Sequence, residues 1–78
     1  MKLRLMLRSE QGALQRVLVH AGRRGFDTLA MTARPAPDGM SVEMELRGPR
    51  DATLLARTLE RLYDVASVEI ITEEETRP

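Results

Sequence analysis

Residues 2–25 read KLRLMLRSEQGALQRVLVHAGRRG, and a change of period inside that stretch decides the fold. From Lys2 to Arg8 the side chains alternate, with Leu3, Leu5 and Leu7 on one side and Lys2, Arg4, Met6 and Arg8 on the other. A period of two marks a strand buried on one face. Beyond Gly12 the spacing changes: Leu14, Val17, Leu18 and Ala21 fall at i, i+3, i+4 and i+7, one stripe along a helix. Ser9 and Glu10 stand where cap or first-turn groups serve the free N–H groups of that helix. Arg23 and Arg24 suit the negative end of the helix dipole, and Gly25 suits the left-handed residue after it. The arginine pair therefore reads as a helix exit and not as a phosphate contact.

Working outward, FDTLAMTARP (residues 26–35) is a second strand with Leu29, Met31 and Ala33 on one face. RPAPDG (34–39) is turn chemistry. MSVEMELR (40–47) alternates again, with Met40, Val42, Met44 and Leu46 inward, and completes a hairpin. After Gly48-Pro49 the spacing returns to that of a helix, whose stripe is Ala52, Leu55, Leu59 and Leu62 with Ala56 beside it. Asp51 belongs at its N-terminus. VASVEIIT (65–72) is the last strand, and residues 73–78 are a solvated acidic tail after a single domain of residues 1–72.

The order βαββαβ, with one apolar face per strand and one apolar stripe per helix, gives an α+β fold of the ferredoxin-like kind. Two helices lie on one face of a four-stranded antiparallel sheet of order 4-1-3-2, with right-handed crossovers. Charge supports this order. The first and third strands become antiparallel neighbours, and their outer faces are basic (Lys2, Arg4, Arg8) and acidic (Glu43, Glu45) respectively.

Composition removes most chemistry. The 78 residues contain no cysteine and one histidine, so thiolate metal sites, disulfides and Ser/His/Asp or Cys/His catalytic sets are excluded. His20 reads as a partly solvated helix residue. Lys+Arg and Asp+Glu balance at 12 each, which leaves no global field for nucleic acid or an anionic membrane. The central strands lack the stacking aromatics of RNA-binding modules on this fold and carry outward glutamates instead. No apolar run spans a bilayer, and Arg4 and Arg8 interrupt any signal-peptide core, which fits a cytoplasmic protein. Two places remain for function. One is the unpaired edge of the second strand, which can pair with a second copy to give a homodimer. The other is the loop from the first strand into the first helix, where free N–H groups can hold a carboxylate.

The segment SEQGALQRVLVHAGRRGFDTLAM (9–31) resembles the opening of ACT domains. Its Gly12, Ala13, Leu14, Arg16 and Val17, followed by Arg24, Gly25, Phe26 and Asp27, are similar to the G-A-L-x-R-V and R-G-[FY]-[ND] elements of acetolactate synthase small subunits. Leu59, Leu62, Asp64, Val65 and Val68 match the L-x-K-L-x-D-V-x-x-V close of the same domain. Among those subunits the short, valine-insensitive isozyme II type looks most similar. The resemblance implies a non-catalytic regulatory subunit that binds and activates, or stabilises, the large catalytic subunit of acetolactate synthase in branched-chain amino-acid biosynthesis. Thiamine diphosphate, magnesium and FAD would then belong to that partner, and this chain would hold no cofactor. The alternative is a stand-alone ACT-type sensor that binds an amino acid at a dimer interface and controls another protein. By the same resemblance, a branched-chain amino acid would contact Ser9, Glu10, Gln11, Gly12, Ala13 and Leu14, with Gly25, Phe26 and Asp27 at the start of the second strand. Valine-responsive relatives carry asparagines where this chain has Ser9 and Asp27. An amide donates to a ligand carboxylate, whereas an ionised Asp27 repels it, so valine feedback is not expected.

Overall fold

The computed structural model describes residues 1–9, 11–48 and 51–71. The elements run β1 (Lys2–Arg8), α1 (Ala13–Arg23), β2 (Asp27–Ala36), β3 (Gly39–Arg47), α2 (Ala52–Glu60) and β4 (Val65–Ile71). One antiparallel sheet has the order β2-β3-β1-β4, the expected order read from its other edge. The expected acidic tail, 73–78, and Thr72 lie outside the described residues.

Alternation builds the core as the sequence implies. Leu3, Leu5 and Leu7 of β1 and Val42, Met44 and Leu46 of β3 are all buried, and the register pairs Leu3 with Met44 and Leu5 with Val42. Ala13, Val17 and Ala21 of α1 and Leu55 and Leu59 of α2 close over them. Leu14 and Leu18 pack at the margin, half-buried, as does Leu62, which lies beyond the end of α2. On the helix-free face Lys2 stands opposite Glu45 and Arg4 opposite Glu43. Arg4 sits between two carboxylates, 3.2 Å from Glu69 on β4 and 3.8 Å from Glu43 on β3. These exposed pairs each contribute about 0.2–1 kcal/mol, enough to favour this register without carrying the fold.

The helix ends sharpen the reading. At the exit of α1, Gly25 has φ 85°, its N–H donates to Gly22 O at 3.0 Å, and the Phe26 N–H donates to Ala21 O at 3.1 Å. That is a Schellman motif, and buried Phe26 and Ala21 supply its apolar contact. Gly48 lies against the Phe26 ring, where a Cβ would come within 2.3 Å of Cδ1. Asp51 caps α2, its side chain accepting from Thr53 N at 2.9 Å. The entry of α1 departs from expectation. Its N-cap is Gly12, in the left-handed region at φ 79°, and among the described residues no side-chain cap bond is made. Ser9 lies too far before Ala13 to do so, and Glu10 falls outside the described residues.

Strand β2 also differs from the simple picture. The pairing with β3 shifts between Thr28 and Ala30, which leaves Leu29 as the extra residue of a bulge. Met31 and Ala33 keep the expected face, opposite Met44 and Val42. No β2 residue is fully buried, because β2 is an edge strand and the helices leave it uncovered. Leu29 and Met31 are 52% and 39% exposed.

Candidate functional site

Three segments meet at one end of the sheet: the exit of β1, the entry of α1 and the start of β3. The register sets Arg8 beside Gly39, and so brings the loop from Ser9 to Gly12 next to the β2–β3 turn. The approach is close enough that a Cβ on Gly39 would fall 1.9 Å from the Leu7 carbonyl oxygen. The segments line an open groove of about 460 Å³, walled by Ser9, Gln11, Gly12, Ala13 and Leu14 on one side and by Gly39 and Met40 on the other. Leu7, Arg8 and Gln15 complete it. With Gly12 uncapped at the head of α1, the first-turn N–H groups lack a side-chain acceptor from the cap position.

Five of the nine anticipated site residues, Ser9, Gln11, Gly12, Ala13 and Leu14, thus share one groove, while Glu10 lies outside the described residues. The other three, Gly25, Phe26 and Asp27, stand at the opposite end of the sheet. Asp27 pairs with Arg47, near the start of β1, whereas the loop leaves from its finish. The seven residues of β1 put roughly 20 Å between the two groups. Phe26 is buried in the Schellman turn, and Asp27 makes an exposed ion pair with Arg47 at 3.6 Å. One copy of the chain therefore does not bring the two halves together.

Leu7, Arg8 and Gln15 escaped the sequence reading of the groove, and so did Gly39 and Met40. The signal for them lay in the strand order: once the first and third strands are neighbours, the Asp38-Gly39 turn must reach the exit of the first. Arg16 and Asp64 entered only as motif residues. They meet beside the loop, where the Arg16 Nε donates to the Asp64 carboxylate and Arg16 Nη2 donates to Gln11 O at 2.7 Å. His20 is half-buried on α1, as anticipated. Among the described residues no cluster of three His, Asp or Glu side chains could hold a metal ion.

A profile of the ACT domain family matches residues 9–68. The chain belongs to that family. The matched span runs from the loop through both helices into β4, so it takes in all of the groove but Leu7 and Arg8, and the Arg16–Asp64 contact. ACT domains are regulatory and non-catalytic, and membership gives this one a regulatory role of the small-ligand kind. No curated protein matches the chain. Among the described residues no helix of this ACT domain is long and apolar enough to cross a membrane.

Proposed function

We propose that this ACT domain is the regulatory small subunit of an acetolactate synthase, binding the thiamine-diphosphate-dependent large subunit and raising or stabilising its activity. The cofactors thiamine diphosphate, magnesium and FAD reside on that partner. The observation that carries the reading is the groove at the β1–α1 loop, because it is built from the same Gly12-Ala13-Leu14 segment whose sequence resembles the small subunits. A subunit with no catalytic set acts on its partner by binding one conformation better than the other, and shifts the population by that difference.

The regulatory unit in this reading is a homodimer joined at the β2 edges. That edge offers ten residues of strand, unpaired on one side, with exposed Leu29 and Met31 beside it. Two-fold pairing runs the strands antiparallel. It would carry the Asp27 end of one copy toward the groove end of the other, and so reunite the two halves of the anticipated site. A branched-chain amino acid fits the combination of first-turn N–H groups for its carboxylate and Leu14 and Met40 for its side chain. Asp27 disfavours the carboxylate and leaves valine a poor effector.

The test is reconstitution. Mixed with an acetolactate synthase large subunit of low intrinsic activity, the chain is expected to co-sediment with it and to raise acetolactate formation severalfold. Absence of both the complex and the activation would overturn the proposal. Calorimetric binding of leucine or isoleucine without any effect on the synthase would favour the stand-alone sensor.

A further inference from the structure

We infer that Arg16 and Asp64 are positioning residues that fix the β1–α1 loop, and with it the shape of the groove, from the turn between α2 and β4. The inference rests on the reading of that groove as a small-ligand site. The loop is tied on both sides to one dipeptide, Tyr63-Asp64. On the strand side the Arg8 N–H donates to Asp64 O at 2.7 Å, and Arg8 Nε donates to Tyr63 O at 3.0 Å. On the helix side the Arg16 guanidinium binds the Asp64 carboxylate through Nε and the Gln11 carbonyl through Nη2. Asp64 thus serves the strand side with its main chain and the helix side with its side chain. It is buried, at 5% exposure, among otherwise apolar buried side chains.

The fold makes this arrangement follow from the register. Leu7 pairs with Val65, so Asp64, the residue before β4, stands beside Arg8, the last residue of β1. Arg16 is one helical turn beyond Gly12, and its N–H donates to Gly12 O at 3.0 Å, so its side chain reaches back over the loop. Gly12 leaves room for it. A Cβ there would stand 3.3 Å from Arg16 Nη1. A planar fork holds two acceptors in fixed relation, which an ammonium on a flexible stem does not. A loop held in this way needs less ordering when a ligand arrives.

The two ties can be cut separately. Substituting the Asp64 side chain leaves the Arg8–Asp64 main-chain bond in place and releases only the Gln11–Gly12 half. The experiment is ¹⁵N relaxation on the intact chain, as wild type, Asp64→Ala and Arg16→Lys. In the wild type, Gln11 and Gly12 are expected at order parameters of about 0.85, and in both variants below about 0.6, with Leu5 and Val42 in the central strands unchanged. The Arg16 Nε–H resonance should be protected from solvent exchange in the wild type and lose that protection in Asp64→Ala. An unmoved loop would overturn the inference. So would Arg16→Lys behaving as wild type, since charge alone would then suffice, or loosening shared equally by the central strands. Should Asp64→Ala fail to fold, Arg16→Lys still decides, because the arginine is half exposed. Calorimetry with valine, leucine and isoleucine adds the functional arm, with affinity falling roughly tenfold in each variant. Equal affinity despite a loosened loop overturns the positioning role. Binding of none of the three by the wild type overturns the ligand reading of the groove, while relaxation still decides the clamp.

Discussion

Replacing Met31 by glutamate tests the dimer on which the assembled site depends. Fully covering a leucine or methionine side chain is worth about 1.5–3 kcal/mol. Leu29 is left 52% exposed and Met31 39% in the single chain. Covering those remainders contributes roughly 1.5–2.5 kcal/mol per protomer, and roughly 3–5 kcal/mol for a two-fold pair. Strand-to-strand hydrogen bonds along β2 add to this, and the loss of free motion on association opposes it. The balance is a dimer of moderate affinity, so losses at the interface are readable. Met31→Glu counts twice by symmetry. It removes the methionine contribution in each copy and sets two carboxylates against an apolar contact, for a loss of roughly 3 kcal/mol or more. That corresponds to a dissociation constant at least about 100-fold higher. Because Met31 is already exposed on an edge strand, the single chain keeps its fold and its far-ultraviolet circular dichroism. Sedimentation equilibrium reads the constant directly. A variant that dimerises as tightly as wild type would refute the reasoning, as would a wild type that stays monomeric at high micromolar concentration.

Three other outcomes are expected. Gly25→Ala forces a side chain into the left-handed turn after α1 and costs about 1–2 kcal/mol, a fall in Tm of roughly 4–16 °C in a thermal melt. Asp51→Ala removes the α2 cap and costs about 0.5–2 kcal/mol, read by urea titration as a lower midpoint at constant slope. Asp27→Asn changes stability by less than about 1 kcal/mol, since its pair with Arg47 is exposed on both sides, yet it introduces an amide donor. Calorimetry should therefore show valine binding to Asp27→Asn more tightly than to wild type, with a melting temperature that scarcely moves.

The groove was half legible in the sequence. Glycine followed by a helical stripe after a strand marks a loop with free N–H groups, and Ser9 to Leu14 could be named from that pattern together with the family resemblance. The facing wall, Gly39 and Met40, could not be named from local pattern, because it depends on which strands are neighbours. The cap at α1 was misread for a related reason. Ser9 and Glu10 are good capping residue types, yet the helix begins only after Gly12, which lies in the left-handed region and, having no Cβ, leaves room for Arg16. Helix capping is a competition between local preference and tertiary contact, and here the contact prevailed.

By itself the sequence determined the element order, the inward face of β1 and β3, the stop of α1 at Gly25 and the family. Each of these follows from periodicity, backbone conformational preference or short motifs, which act over a few residues. Tertiary structure alone decided three further matters. It left β2 bare, because two helices cover only part of a four-stranded sheet. It set Asp27 at the far end from the loop, because the chain re-enters the sheet beside Arg47, at the end where β1 begins, and the loop leaves from where β1 finishes. And it joined Arg16 to Asp64 across 48 residues of chain, because a strand pairing, and not a sequence pattern, puts the start of β4 beside the end of β1.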